Sequence, residues 1–265
     1  MYSSLKLALK YGAFFIKASN GKGHGIHSPF VFNFILNVLN NGNNYQPSDT
    51  INQLHKELLS NKTFLEIEDL GAGSRVSPHK KRTIANLAKT AVKPKKYSHL
   101  LFRLAKYYQP KTIVELGTSL GITTSLLAAA VPDSDVITIE GSKAVYDVAQ
   151  QNINRLQLKN IKSLHGSFDA LLPSVLNSVS AIELGYIDGN HRYEPTLSYF
   201  HQFLAKRNYE TILIFDDIHW SREMEDAWEK IKLHPDVRCT IDIFFLGFVI
   251  FRDEIREKQN YVLRF

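Results

Sequence analysis

From residue 111 onward, short apolar runs alternate with longer amphipathic ones. The apolar runs cover 112–116, 136–140, 161–165, 182–188 and 211–216. They are rich in β-branched residues and nearly continuous, the pattern of parallel strands buried on both faces. Between them the 3.6-residue period predicts helices over 122–130, 143–156, 168–177, 195–205 and 221–233. Strand–helix alternation at this spacing predicts right-handed βαβ units in a parallel sheet. The pattern breaks at the end. Runs 237–243 and 245–252 join around Leu246-Gly247. A parallel crossover needs a dozen or more residues, so these two runs are expected to form an antiparallel hairpin.

Residues 1–110 carry helical periodicity at 2–18, 29–40, 51–60, 84–91 and 98–108, with a break at Asn40-Asn41-Gly42-Asn43-Asn44. The expected organisation is a mainly helical extension, 1–110, ahead of an α/β domain, 111–265. The apolar side of the first helix is expected to cover the α/β domain or a dimer partner, with a membrane surface as the alternative.

Composition narrows the setting. The chain has 265 residues, 44% of them hydrophobic, enough for a large core. Cys239 is the single cysteine, which excludes an internal disulfide and any C-x-x-C metal site. A reducing, cytoplasmic location is the default expectation. No apolar run approaches the roughly 20 residues of a spanning helix. Lys6, Lys10 and Lys17 interrupt the apolar stretch that a secretory signal needs. The net charge of +6 is uneven: residues 1–110 hold 16 Lys+Arg and 5 Asp+Glu, and residues 111–265 hold 16 and 21. Arg75, Lys80, Lys81, Arg82, Lys89, Lys93, Lys95 and Lys96 form an acid-free stretch. It is expected to be a solvated face or a complement to the acidic domain. Nucleic acid or anionic lipid is the alternative partner.

The chemistry-bearing signal is Val114-Glu115-Leu116-Gly117-Thr118-Ser119-Leu120-Gly121, a glycine turn between a strand and a helix. Gly117 permits a tight turn and close backbone approach by a ligand, and the helix start at Gly121 presents free N–H groups. Glu115 ends the strand, where a carboxylate can face an amine-bearing ligand. Glu140 ends the next strand, 23 residues after Gly117, where an acid can accept both ribose hydroxyls. Thr118 stands where a dinucleotide site would want its second glycine, which disfavours NAD, and no phosphate-loop motif is present. Two other glycine clusters, 68–74 and 21–25, lack the strand–turn–helix context and are expected to be connections.

Further along, His165-Gly166-Ser167-Phe168 ends the third strand, Tyr186-Ile187-Asp188-Gly189-Asn190-His191 the fourth, and Phe215-Asp216-Asp217-Ile218-His219 the fifth. Carboxylates converging at C-terminal strand ends are costly unless a cation lies among them, and a hard divalent ion suits oxygen ligands. With these motifs the chain resembles the class I S-adenosylmethionine (SAM)-dependent methyltransferases over roughly 111–252. More narrowly it is similar to the metal-dependent small-molecule O-methyltransferases of the catechol and antibiotic-sugar types.

That resemblance implies a doubly wound, Rossmann-like sheet, mostly parallel with a C-terminal antiparallel hairpin. It implies SAM held by Glu115, Gly117, Thr118, Gly121, Glu140, Ser167, Phe168 and Asp188, with Ser167 and Phe168 on the adenine side. Asp188, Asp216 and Asp217 correspond to ligands for magnesium or a similar ion. His191 stands where the catechol enzymes carry a lysine base, and Asn190 stands where the sugar enzymes carry an acid. His191 is therefore the first candidate base and His219 the second. The expected acceptor is a hydroxyl of a small molecule. RNA, a lipid-linked acceptor, or SAM binding with little catalysis are the alternatives. The Asn/Asp-Pro-Pro-Tyr/Phe tetrad of many nucleic-acid N-methyltransferases is absent.

Overall fold

The structure, a computed structural model, describes residues 1–19, 21–23, 25–42, 46–68 and 79–265. Most of the glycine cluster at 68–74, His24 of the cluster at 21–25, and part of the basic stretch lie outside the described residues.

In chain order the first elements are α1 (Ser4–Lys17), α2 (Pro29–Phe34) with a π-helical turn (Ile35–Leu39), α3 (Asp49–Ser60), β1 (Phe64–Glu68), β2 (His79–Thr83), α4 (Ile84–Thr90) and α5 (Lys95–Tyr108). Then come β3 (Thr112–Leu116), α6 (Ile122–Ala130), β4 (Asp135–Glu140), α7 (Lys143–Arg155), β5 (Ile161–His165) and α8 (Phe168–Ser178). The remainder is β6 (Ile182–Ile187), α9 (Tyr193–Leu204), β7 (Arg207–Asp216), α10 (Arg222–Leu233), β8 (Cys239–Asp242), β9 (Leu246–Ile250) and β10 (Gln259–Val262). Among the described residues no helix is long and apolar enough to cross a membrane.

The fold class is α/β of the Rossmann-like kind, with parallel strands throughout except at the C-terminal hairpin and at the β1–β2 pair. The chain forms two compact units, residues 41–179 and residues 1–40 with 180–265.

In the unit formed by 41–179, β3, β4 and β5 run parallel in that order. β3 and β4 are almost wholly buried, whereas β5 is half-exposed. Helix α6 starts at a left-handed Gly121 and continues as ITTSLLAAA, small and apolar enough to be buried on most sides. α5 packs on α6, and α3 touches both α6 and α4. The antiparallel β1–β2 pair was not expected in a helical extension. β2 is HKKRT, with no apolar alternation to announce it. Its pairing with Phe64-Leu65-Glu66-Ile67-Glu68 creates a strand where sequence alone has none.

In the other unit the strand order is β10-β8-β9-β7-β6. β6 and β7 are parallel, β9 is antiparallel to both β7 and β8, and β10 adds parallel to β8. β7 begins four residues earlier than its apolar run because Arg207–Glu210 form an irregular lead-in. There the register with β6 shifts between Ile182 and Leu184, and the Thr211 hydroxyl donates to the Ile182 carbonyl at 2.6 Å. α10 has a complete helix grammar: Ser221 accepts from the Met224 N–H at 3.2 Å, Glu223 and Glu225 lie in the first turn, and Lys230 and Lys232 in the last.

The hairpin turn differs from the expectation at Leu246-Gly247. The chain reverses over Ile243–Phe245, where Phe244 is left-handed (φ 74°) and its N–H donates to Asp242 Oδ1 at 2.8 Å. Gly247 lies inside β9, opposite Asp242 and Phe215. Its role is steric: a Cβ there would come within 2.7–2.9 Å of the Trp228 ring, a fully buried side chain of α10. Gly247→Ala is expected to destabilise the fold by about 1–3 kcal/mol, since overpacking at a large rigid ring cannot relax cheaply. Urea unfolding of the two proteins checks this, and equal midpoints would mean that Trp228 moves aside.

Candidate functional site

The strand ends place the candidate residues in two clusters, one in each unit. The first is the glycine turn after β3. Gly117 has φ 102°, Ser119 φ 49° and Gly121 φ 79°, so three of five residues are left-handed and the turn is sharp. The N–H groups of Gly117 and Thr118 both donate to the Ile139 carbonyl, at 3.0 and 3.3 Å. The Thr118 hydroxyl meets that of Thr138 at 2.6 Å. The turn is thereby fastened to the end of β4, one residue before Glu140.

Glu140 accepts from the Ser119 N–H through Oε2 and from the Ser142 N–H through Oε1, both at 2.9 Å. Each carboxylate oxygen has a second lone pair to offer. Burial pushes this carboxyl up, and the backbone donors of Ser142, Ser119 and Gly141 pull it back. The arrangement fits a hydroxyl-accepting role, because Glu140 is half-exposed and its orientation is fixed by backbone.

Glu115 behaves differently. It is fully buried; its Oε2 accepts from the hydroxyls of Thr124 and of Thr138, the latter at 2.7 Å. Burial pushes its carboxyl up to about 7, against the two threonines and with help from the nearby Glu140 charge. The expected ligand-facing Glu115 is thus an interior group bracing the base of the turn. Ser167 is the N-cap of α8, accepting from the Ala170 N–H at 3.3 Å, and Phe168 is half-exposed at the first position of that helix. Gly166 N–H donates to the Glu140 carbonyl at 2.9 Å, so Ser167 and Phe168 are set beside Glu140.

The second cluster lies at the ends of β6 and β7. Asp188, His191 and Asp216 each offer a ligand atom within 4.8 Å of the others. His191 Nε2 is 3.6 Å from Asp188 Oδ1, and the Tyr186 hydroxyl donates to Asp188 Oδ2 at 3.0 Å. Asp216 is 1% exposed, its position fixed as the last residue of β7. Two carboxylates and an imidazole this close form a donor set suited to a divalent cation.

Asp217, the third expected ligand, is not a member of this group. Its backbone is left-handed (φ 53°), and its N–H donates to the Phe245 carbonyl at 2.8 Å. The chain turns away between the two neighbouring acids. Asn190 is also left-handed (φ 52°) and donates to the Tyr199 hydroxyl at 3.2 Å.

His219, the second candidate base, has a carboxylate at each ring nitrogen. Nδ1 is 3.1 Å from Glu225 Oε1 and Nε2 is 2.9 Å from Asp242 Oδ2. Burial opposes its charge, but the hydrogen bonds and charges of Asp242 and Glu225 hold its pKa above the ordinary value. A carboxylate at each ring nitrogen favours the protonated ring, and both nitrogens are taken up in these contacts. The ring also stacks on Phe244, with centroids 5.0 Å apart and planes at 25°. Sequence offered no local signal for this, since the partners lie 6 and 23 residues away.

A glycine turn, a following strand-end acid and acids at later strand ends lie where open α/β sheets bind ligands. Comparison with known proteins agrees. Residues 114–218 match the family model described as "Methyltransferase domain". An uncharacterised protein of Acanthamoeba polyphaga mimivirus is 26% identical over 146 residues, covering 50% of this chain. The chain spans 65% of that relative's length.

Among solved structures, an S-adenosylhomocysteine (SAH)-bound methyltransferase of Podospora anserina aligns with TM-score 0.62 and 12% identity, covering 80% of this chain and 91% of that one. An O-methyltransferase of Bacillus cereus in complex with SAH aligns with TM-score 0.59 and 18% identity, covering 81% and 96%. Residues 114–218 thus match a methyltransferase domain, and the fold resembles that of SAH-bound methyltransferases, O-methyltransferases among them.

Glu140→Ala is expected to weaken SAH binding more than tenfold, about 1.4 kcal/mol; calorimetric titration measures it, and wild-type affinity would remove the ribose contact. Glu115 predicts a pH effect. Its pKa is raised in the folded state, so the stability it contributes is complete below about 4.5 and is lost as pH rises through about 7. Glu115→Gln should reduce the fall in unfolding free energy over that window, and identical pH slopes would show that Glu115 stays ionised throughout.

Proposed function

We propose that the protein transfers the methyl group of SAM to a hydroxyl of a small molecule, assisted by a divalent cation. The observation that carries this reading is the Asp188, His191 and Asp216 group, whose ligand atoms lie within 4.8 Å of one another. Asp188 and Asp216 supply hard oxygen donors for magnesium or a similar ion, and the imidazole extends the range toward manganese and other transition metals. A cation bound there lowers the pKa of the acceptor hydroxyl. SAM supplies an electrophilic methyl on a sulfonium.

The chain's own residues then have defined tasks. Glu140 accepts the ribose hydroxyls while Ser119 and Ser142 keep its carboxylate oriented. Ser167 and Phe168, beside Glu140, take the adenine side. Tyr186 fixes one oxygen of Asp188 and leaves the other toward His191. His191 is either the third donor or the base, because the lone pair of Nε2 cannot bind a metal and accept a proton together. Its place in the donor group favours ligation. Most of the rate enhancement is then positioning and charge complementarity.

Asp188→Ala and Asp216→Ala are each expected to lower magnesium and manganese affinity at least tenfold in calorimetry. Each should abolish metal-stimulated methylation across a panel of catechols and vicinal diols, with SAH binding by the Asp216 variant retained. Unchanged metal affinity in both variants would end the metal reading. His191→Ala should weaken metal binding likewise. Intact metal binding with a flattened pH–rate profile between about pH 6 and 8 would instead make His191 the base.

A further inference from the structure

α1 is built the wrong way round for a helix whose outer side meets only water. Its inner side is the mixed one. Leu7, Lys10, Tyr11 and Phe14 are half-buried. Tyr11 and Phe14 meet the Phe244 ring at 5.0 and 5.3 Å. Lys10 Nζ donates to Glu225 at 2.8 Å, and the Tyr2 hydroxyl does so at 2.7 Å. The helix is thus anchored by aromatic contacts and one carboxylate.

The opposite side contains no polar side chain from Leu5 to Ile16. Leu5, Leu9, Gly12 and Ile16 follow one another at i, i+4, i+7 and i+11, one stripe of an α-helix. Leu5 is 73% exposed, Leu9 68% and Ile16 79%. Phe15 widens the stripe on one side.

Cations border this stripe on both flanks. Lys6 and Lys17, exposed, follow Leu5 and Ile16 on one side. On the other, the Arg264 guanidinium lies 4.8 Å over the Phe15 ring and donates to the Ile16 carbonyl at 3.3 Å. No Asp or Glu occurs anywhere in residues 1–48. An apolar stripe with two lysines on one flank and an arginine on the other, on a helix already folded and anchored, matches the requirements of an anionic lipid interface. The side chains enter the acyl boundary, and the long basic stems reach back to the headgroups.

A second copy of the chain fits less well. A 14-residue helix offers a strip about 21 Å long and roughly 10 Å across. That is about 200 Å² in projection, against about 800 Å² per partner in a stable interface. It would also bring Lys6 and Lys17 of two copies into one interface. We propose that the outer face of α1 docks the protein in plane on an anionic membrane surface. This proposal is independent of the reaction the enzyme carries out.

The test is flotation of the full chain with vesicles of phosphatidylcholine alone or with one-third phosphatidylglycerol, beside analytical ultracentrifugation without lipid. The expected result is flotation with the anionic vesicles that falls as salt is raised. Leu9→Glu with Ile16→Glu should cut the bound fraction at least tenfold, with SAH affinity unchanged. Lys6→Glu with Lys17→Glu, which leaves the apolar stripe intact, should reduce anionic binding to the level of neutral vesicles. Absence of flotation, equal flotation on both vesicle types, or wild-type binding by the Leu9/Ile16 variant would each overturn the proposal. A dimer that the Leu9/Ile16 variant loses, in a protein that does not float, would assign the face to a second copy.

Discussion

The unit formed by residues 41–179 depends on a turn that is tied to the strand beside it. Gly117 and Thr118 give their N–H groups to a single carbonyl, that of Ile139. The parallel pairing of β3 with β4 cannot slip without breaking that attachment. Because the next residue is Glu140, the same attachment delivers a carboxylate to the Ser119 N–H. The left-handed conformations at Gly117, Ser119 and Gly121 are the local cost of a chain that must leave β3, touch β4 and enter α6 within five residues. Beneath it, Glu115 and its two threonines complete the support with hydrogen bonds inside the core.

The other unit solves a different electrostatic problem. Five polar side chains, Tyr2, Lys10, His219, Glu225 and Asp242, share one connected network of hydrogen bonds. The carboxylates of Glu225 and Asp242 would be costly half-buried and alone. The His219 ring between them, its pKa raised by both, and Lys10 beside Glu225 offset that cost. The network joins α1, α10 and the end of β8, and it fixes the residue after which the hairpin turns. His219 is therefore tied into this network, while His191, 28 residues earlier in the chain, stays beside Asp188 at the strand ends.

The difference between Asp216 and Asp217 shows how narrow the limits of linear reading are. Two adjacent acids at a strand end are equivalent as letters. In the fold one closes the strand with its side chain buried, and the other begins a left-handed turn held by the Phe245 carbonyl of a neighbouring segment. β7 ends at Asp216, so Asp217 lies beyond the strand's alternation. Among the described residues Asp216, and not Asp217, groups with Asp188 and His191, and the sequence does not say which of the two acids will. Gly247 carries the same lesson in reverse: a glycine near a reversal reads as the turn, yet its purpose is to admit the Trp228 ring.

Much was legible before any coordinates. The strands 112–116 and 161–165 and the helix 122–130 fall where periodicity puts them, and most others agree to within a few residues. Each is buried or amphipathic enough for its own pattern to be decisive. The glycine turn, Glu140 after it and the acids at later strand ends were legible because they are tied to strand ends by short range along the chain. Tertiary structure alone decided β2, which is polar throughout, and the four-residue β10; each becomes a strand through the partner it pairs with. It decided that Glu115 faces inward, that His191 rather than Asp217 joins Asp188 and Asp216, and that both nitrogens of His219 are occupied. In each case the deciding partner lies on another element, and the period of a single segment carries no information about what will stand across from it.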